Sequence, residues 1–249
     1  MSADLLARFV GVEKTFGDHR VLDGIDLVLP RGGTTFIVGP SGTGKSVLVK
    51  HLVGFISPDA GEIWYGDVPV HRLDEEALRA VRRRCVYVFQ HPALFDAMTV
   101  EDNVRLVIQQ HRDLGVAEQR REVFATLERL GIDGVADQSP RTLSSGEQKL
   151  VSIARAMAMD PETLILDEPT TGLDPEAARR LDGLVTASLR GESQLIVISH
   201  DLRSIELMAD RVVMLLGGKV HFQGSRAAFF TSTDPAVAQF VAGSAEGPI

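Results

Sequence analysis

Gly39-Pro40-Ser41-Gly42-Thr43-Gly44-Lys45-Ser46 lies between a β-branched, apolar run, Thr34 to Val38, that reads as a buried strand, and a helix from about Lys45 to Val53 that Gly54 ends. Strand, glycine-rich turn and helix in that order is the context a phosphate-binding loop needs, and every fixed position of its pattern is filled. Its glycines let backbone N–H groups wrap phosphates, and the helix N-terminus adds positive potential. Lys45 neutralises β and γ oxygens, and Ser46 offers a hydroxyl to Mg²⁺. Gly39 to Ser46, with Val47 following in the helix, are therefore the expected nucleotide contacts.

Working outward, short apolar runs alternate with helix-length amphipathic stretches, the pattern of a mainly parallel sheet covered by helices. Leu164 to Leu166 and Leu195 to Ile198 are too uniformly apolar to face water and complete the centre of that sheet. The first leads into Asp167-Glu168, at the strand end where an open α/β sheet puts its ligands. There Asp167 can hold Mg²⁺ and Glu168 can deprotonate the water that attacks a γ-phosphate; alternatively the two acids cap a helix before Pro169. The second leads into Ser199-His200-Asp201, where His200 is either structural or a γ-phosphate contact. Gln90 follows the run Cys85 to Phe89 and holds a similar position, though a solvated strand end is the competing reading.

From Gln90 to about Met157 the pattern is helical, with Thr99-Val100-Glu101-Asp102 able to cap one helix and Val116 to Leu130 forming another. Val212 to Leu216, Gly217-Gly218 and Lys219 to Phe222 read as a hairpin. In the tail, Asp234 caps a short helix opened by Pro235, with Val237, Phe240 and Val241 on one face. That stripe is expected to pack either on the chain's own hairpin or on a partner subunit.

The whole is 249 residues with net charge −8, which opposes sequence-independent binding to nucleic acid or anionic lipid. Arg82, Arg83 and Arg84 read as the solvated end of a helix before a buried strand. The longest uninterrupted apolar run is five residues, against about 20 for a spanning helix. Met1 to Phe16 lacks a continuous apolar core, so a secretory signal is not expected, and the single Cys85 suits a reducing compartment.

Leu143-Ser144-Ser145-Gly146-Glu147-Gln148, followed by Ala154-Arg155-Ala156 and then the Asp167-Glu168 strand, resembles the signature motif of ATP-binding cassette (ABC) ATPases. The phosphate loop, Gln90, Asp167-Glu168, Gly172-Leu173-Asp174 and His200 stand in that family's order. The resemblance implies an α/β fold: a RecA-like P-loop NTPase core with an antiparallel β subdomain and an inserted helical subdomain. It implies one ABC domain over 1–249, with core and β subdomain in 1–90 and 158–225, helical subdomain in 91–157 and tail in 226–249. It implies ATP and Mg²⁺ as ligands, Glu168, His200 and Gln90 as catalytic residues, and Ser46, Gln90 and Asp167 as metal ligands. Phe16 takes the adenine-stacking position. Ser144, Ser145, Gly146 and Glu147 would close on the ATP of a second copy in a head-to-tail dimer, across which Asp174 communicates. Gln90 would couple the nucleotide to an integral membrane permease, placing the chain peripherally on the cytoplasmic face of the inner membrane.

Phe89-Gln90-His91-Pro92-Ala93-Leu94-Phe95-Asp96 and the tail Asp234 to Phe240, ending Gly247-Pro248-Ile249, resemble the ATPases of Mla and Mce lipid-transport systems. This implies phospholipid or another hydrophobic cargo and a substrate-binding Mce-domain protein. A polar-solute importer such as one for amino acids, and a soluble cassette acting on nucleic acid or ribosomes, are the rivals. Four positions depart from the family pattern: Ser145 and Glu147 in the signature, Leu150 where a basic residue is frequent, and Phe16 where the stacking aromatic is often Tyr, so that a π-face survives without the hydroxyl. Ser144-x-x-Glu147 fits a capping box, so Glu147 can satisfy the helix's first N–H groups as Gln would.

Overall fold

The computed structural model describes residues 5–188, 194–244 and 246–248, so Met1 to Asp4 and the Ile249 of the tail motif lie outside the described residues. The chain forms two compact units, Met1–Arg82 with Gln194–Ile249, and Arg83–Ser193.

In the first unit, β1 (Leu5–Phe16) turns at Gly17-Asp18 into β2 (His19–Pro30), with Phe16 opposite His19. On β2 the inward residues are Leu22, Ile25, Leu27 and Leu29, a period of two broken once at Gly24, whose φ of 69° only glycine adopts freely. β1 slips in the same way between Phe9 and Val12. β3 (Thr34–Val38), buried at every residue, leads to α1 (Lys45–Leu52), which ends as expected at Gly54, φ 65°. β4 (Ala60–Tyr65) and β5 (Val68–Pro69) complete an antiparallel sheet ordered β2-β1-β4-β5, and α2 (Glu75–Arg84) follows.

The second unit opens with β6 (Cys85–Val88) and continues through α3 (Val100–His111), α4 (Val116–Arg129), α5 (Ser145–Met157), β7 (Thr163–Asp167) and α6 (Pro175–Ser188). Thr99 and Asp102 form the capping box on α3 that their spacing predicts. β6 and β7 run parallel, Val88 beside Leu166. Among the described residues no strand falls between β6 and β7, in keeping with the helical reading of that block.

Returning to the first unit, the chain adds β8 (Gln194–Ile198), α7 (Leu202–Met208), β9 (Arg211–Leu216), β10 (Lys219–Ser225), α8 (Arg226–Phe230) and α9 (Pro235–Ala242). Within this unit β3 lies between β8 and β9, parallel to both. β9 and β10 form the expected hairpin, and Gly217 and Gly218 have φ of 57° and 75°, the two left-handed residues of a type I′ turn.

Two expectations are refined. The arginines closing α2 do precede a buried strand, but two of them are bonded. Arg82 donates to the carbonyls of Val53 and Gly54 at the end of α1, and Arg84 grips Glu162 with two bonds of 2.6 and 2.9 Å. The tail packs on its own unit: Asp234 caps α9, His221 on β10 meets Asp234 at 2.8 Å, Val237 is fully buried, and the Phe240 ring stands edge-on to Phe229. Among the described residues, no helix is long and apolar enough to cross a membrane.

Candidate nucleotide site

In the first unit the loop after β3 is built for close approach. Gly39 has φ 138°, and a Cβ there would stand 2.3 Å from the Leu215 carbonyl; one on Gly44, φ 91°, would strike Val21 and Leu22. A Cβ on Gly42, φ 81°, would meet nothing within 4 Å, so that side of the loop is open to a ligand. Lys45 Nζ donates to the carbonyls of Gly39 (2.8 Å) and Pro40 (2.9 Å), which holds the ammonium over the loop. α1 starts from Gly44 with no side-chain cap and no acid in its first turn, leaving its N-terminal potential for an anion. The residues present therefore fit a polyphosphate. Ser46 and Val47 follow in the first turn of α1.

The parallel register of β3 and β8, Ile37 beside Ile198, and a bond from Ser199 N to Ile37 O carry the exposed His200 out at the same strand ends as the loop. Phe16, at the end of β1, is 47% exposed rather than part of the core, and Lys14 Nζ lies 5.4 Å from its ring centroid. Lys14 is itself fixed by Asp59 and the Ser57 carbonyl, each at 2.8 Å.

The second unit assembles Gln90, Asp167 and Glu168. The register of β6 and β7 brings both strand ends to one edge, so Gln90 and the two acids share it. Asp167 is buried and accepts a short bond, 2.5 Å, from the Tyr87 hydroxyl. Glu168 has φ 51°, a left-handed conformation that costs a non-glycine residue about 1–3 kcal/mol, and its Oε2 accepts from Thr171 Oγ1 at 2.9 Å. No helix starts at Pro169, which removes the helix-capping reading of the acidic pair; the next, α6, is capped by Asp174, whose Oδ1 accepts from Glu176 N and Ala177 N. Those bonds hold the Asp174 carboxyl below the usual carboxylate range.

α5 carries Ser145, Gly146 and Glu147 in its first turn behind the N-cap Ser144. The predicted capping box is present: Glu147 N donates to Ser144 Oγ, and Ser144 N donates to Glu147 Oε2 at 2.9 Å. The Ser144 hydroxyl donates to the same oxygen, and these bonds push the Glu147 carboxyl down, so it is charged. From the same helix Arg155 donates to the Ala93 carbonyl, while Asn103 of α3 bonds both N and O of Phe95. The stretch Ala93-Leu94-Phe95 is thereby fixed, with Phe89 and Phe95 about half exposed.

Three residues at this edge have no place in the motif reading: Tyr87, Thr171 and Lys149. Tyr87 is the polar-tipped member of an otherwise apolar strand, and buried Tyr hydroxyls seek partners. Lys149 precedes Ser152 and Ile153 by three and four residues, which puts a cation on the buried face of α5. That mismatch is the signal that could have found it.

Each unit offers a hard oxygen donor of the kind Mg²⁺ takes, the Ser46 hydroxyl in the first and the Asp167 carboxylate in the second, and Mg²⁺ is held by one or two carboxylates together with substrate phosphates rather than by an all-protein cage. Among the described residues no group of three or more His, Cys, Asp or Glu could hold a metal alone.

The family model described as "ABC transporter" matches residues 22–171. The chain is 36% identical, over 96% of its length and 89% of the relative's, to the intermembrane phospholipid transport system ATP-binding protein MlaF of Escherichia coli K12. It is 38% identical, over 92% and 83%, to the phosphate import ATP-binding protein PstB 2 of Natronomonas pharaonis. Among solved structures, the dimeric post-hydrolysis state of an ATP-binding cassette bound to ADP and Pi superposes with a TM-score of 0.80 at 27% identity, covering 88% of this chain and 98% of that one.

Proposed function

Since the chain belongs to the ABC transporter family and is an ATP-binding, ATP-hydrolysing subunit of a transporter, we propose that it powers the movement of phospholipid or another hydrophobic molecule through a separate membrane permease. The observation that carries this reading is the match to the phospholipid-transport ATP-binding protein over 96% of the chain. The match to a phosphate-import ATP-binding protein supports a second reading, import of a polar solute.

In the proposed cycle the N–H groups of Gly39 to Ser46 and the Lys45 ammonium bind the phosphates, and Phe16 offers its ring to adenine. Ser46 and Asp167, with Gln90, would hold Mg²⁺, which when bound neutralises charge on the β and γ oxygens. Glu168 accepts the proton of the attacking water as the γ-phosphoryl group passes to it and ADP leaves, and His200 hydrogen-bonds the γ-phosphate. The relative solved as a dimer supports a second copy as partner, with Ser144 to Glu147 presented to the partner's ATP. Gln90 then reports the nucleotide to the permease, at which the chain sits peripherally on the cytoplasmic face of the inner membrane. An Mce-domain protein is the proposed carrier of the cargo.

The test is to purify the chain with its permease, identify the co-purifying lipids, and measure phosphate release in vesicles with and without them. Lipid-stimulated release supports the reading. Release that responds to a polar solute and not to lipid favours the importer, and no release at all defeats both.

A further inference from the structure

Lys149 lies on the buried face of α5, 9% exposed, and its Nζ donates to the carbonyl oxygens of Gln90 (3.4 Å) and Glu168 (3.3 Å). It also lines a cavity with Gln90, Asp167 and Pro169. An ammonium on an apolar helix face is costly to desolvate, and burial pushes the Lys149 amine below its ordinary range. Packing alone gives no reason for that cost. The two bonds do, because they join two backbones far apart in sequence, and one of these is the strained Glu168. The Glu168 carbonyl also receives Thr171 N at 3.3 Å, while Thr171 Oγ1 holds its carboxylate. Glu168 is thus gripped at carbonyl and carboxylate together. Four residues before Lys149, the same helix begins with Ser145, beside the capping pair Ser144 and Glu147.

We propose that Lys149 is a positioning residue for hydrolysis: its ammonium ties the Gln90 and Glu168 carbonyls to α5, keeps Glu168 in its left-handed conformation with the carboxylate aimed, and couples that aim to the helix whose first turn carries the signature. This rests on the ATPase reading above, in which Glu168 is the base. Removing the ammonium frees the Glu168 peptide to relax, which lowers turnover without touching the loop that holds the phosphates.

The test uses the full chain with Lys149→Met, which keeps the length of the side chain, and Lys149→Arg, which restores a donor. In nucleotide-free protein, amide exchange at Thr171 should rise about tenfold in Lys149→Met, because the turn it closes on Glu168 O opens more often. ADP affinity and KM for ATP should stay within about twofold, kcat should fall about tenfold, and Lys149→Arg should recover most of both losses. Unchanged exchange and kcat in Lys149→Met overturn the proposal. So does a parallel loss of melting temperature, ADP affinity and kcat in both variants, the mark of a purely structural lysine. Should Lys149→Met not fold, Lys149→Gln carries the same readouts. If wild type shows no ATP hydrolysis, the ATPase reading fails, and the exchange at Thr171 still decides whether Lys149 holds the turn.

Discussion

The first turns of α1 in one unit and α5 in the other both carry N–H groups that a helix cannot bond to its own carbonyls, and their sequences treat them in opposite ways. α1 begins at Gly44, which has no side chain to cap with, carries no acid nearby, and sets Lys45 beside the opening. α5 begins at Ser144 and turns its own Glu147 back on the N-cap, so the N–H groups of Ser144 and Glu147 are answered from within and a negative charge stands at the helix end. A helix N-terminus is therefore not an anion site by itself; whether the neighbouring two or three residues bring a capping side chain and an acid to it decides it. In this chain the open end is the phosphate loop and the closed end is the signature.

The largest effects should separate binding from chemistry. Glu168→Gln should lower kcat by roughly 10²–10⁴-fold, the usual worth of a positioned base, while nucleotide affinity is kept and the closed dimer accumulates. Lys45→Ala should instead lower nucleotide affinity on the order of 100-fold, by loss of charge-assisted bonds to phosphate. Calorimetric titration and a phosphate-release assay read the two. Equal affinity in wild type and Lys45→Ala would mean that the open end of α1 is not where the nucleotide sits.

The same contrast governs what could be read from sequence. The glycine-rich loop and its place between a strand and a helix were legible because its backbone course is set within eight consecutive residues, and the strand and helix around it follow from local patterning. The hairpin, the capping boxes and the Asp167-Glu168 strand end were legible for the same reason. The grip on Glu168 was not, because Lys149 reaches it across 19 residues and reaches Gln90 across 59, distances at which no pattern rule operates. The antiparallel sheet was expected through family likeness alone. Its alternation is broken by left-handed glycines, Gly11 at φ 56° on β1 and Gly24 at φ 69° on β2, each of which shifts the inward face by one residue.

A smaller effect tests the support of α1. His51, in its last turn, is buried with Nδ1 donating to the Val47 carbonyl at 2.7 Å. Burial, with Lys14 nearby, lowers its pKa below the ordinary 6.5, against the opposing pull of the Val47 bond and Asp59. The fold therefore prefers the neutral ring. Its contribution is complete above the unfolded value near 6.5 and is lost as pH falls below it, where the unfolded chain takes up a proton that the folded one resists. Stability should then fall with a slope of up to about 1.4 kcal/mol per pH unit from this group. Chemical denaturation between pH 7.5 and 5 should show that slope in wild type and a flatter one in His51→Gln. An identical slope in both would assign the acid sensitivity elsewhere.

The smallest effect should come from opening the closed end. Glu147→Gln keeps an oxygen that can accept from Ser144 N, so the capping box survives and α5 should lose at most the favourable interaction of a charge with the helix dipole, about 0.3–1 kcal/mol. What changes is the field at the N-terminus. In the proposed dimer this end faces the partner's γ-phosphate, and the Glu147 carboxylate, charged in this setting, repels it. Removing that charge should tighten ATP-dependent dimerisation by a few-fold, about 2–5 times, the size of a single charge interaction at a partly exposed site. The gain should shrink as salt rises toward about 0.5 M, because screening acts on this repulsion and not on the hydrogen bonds of the box. Sedimentation of wild type and Glu147→Gln with ATP at low and high salt reads both. A gain that ignores salt would point to altered helix geometry. No gain at low salt would show that the closed end of α5 is not presented to a phosphate, and the contrast with α1 would then be one of capping alone.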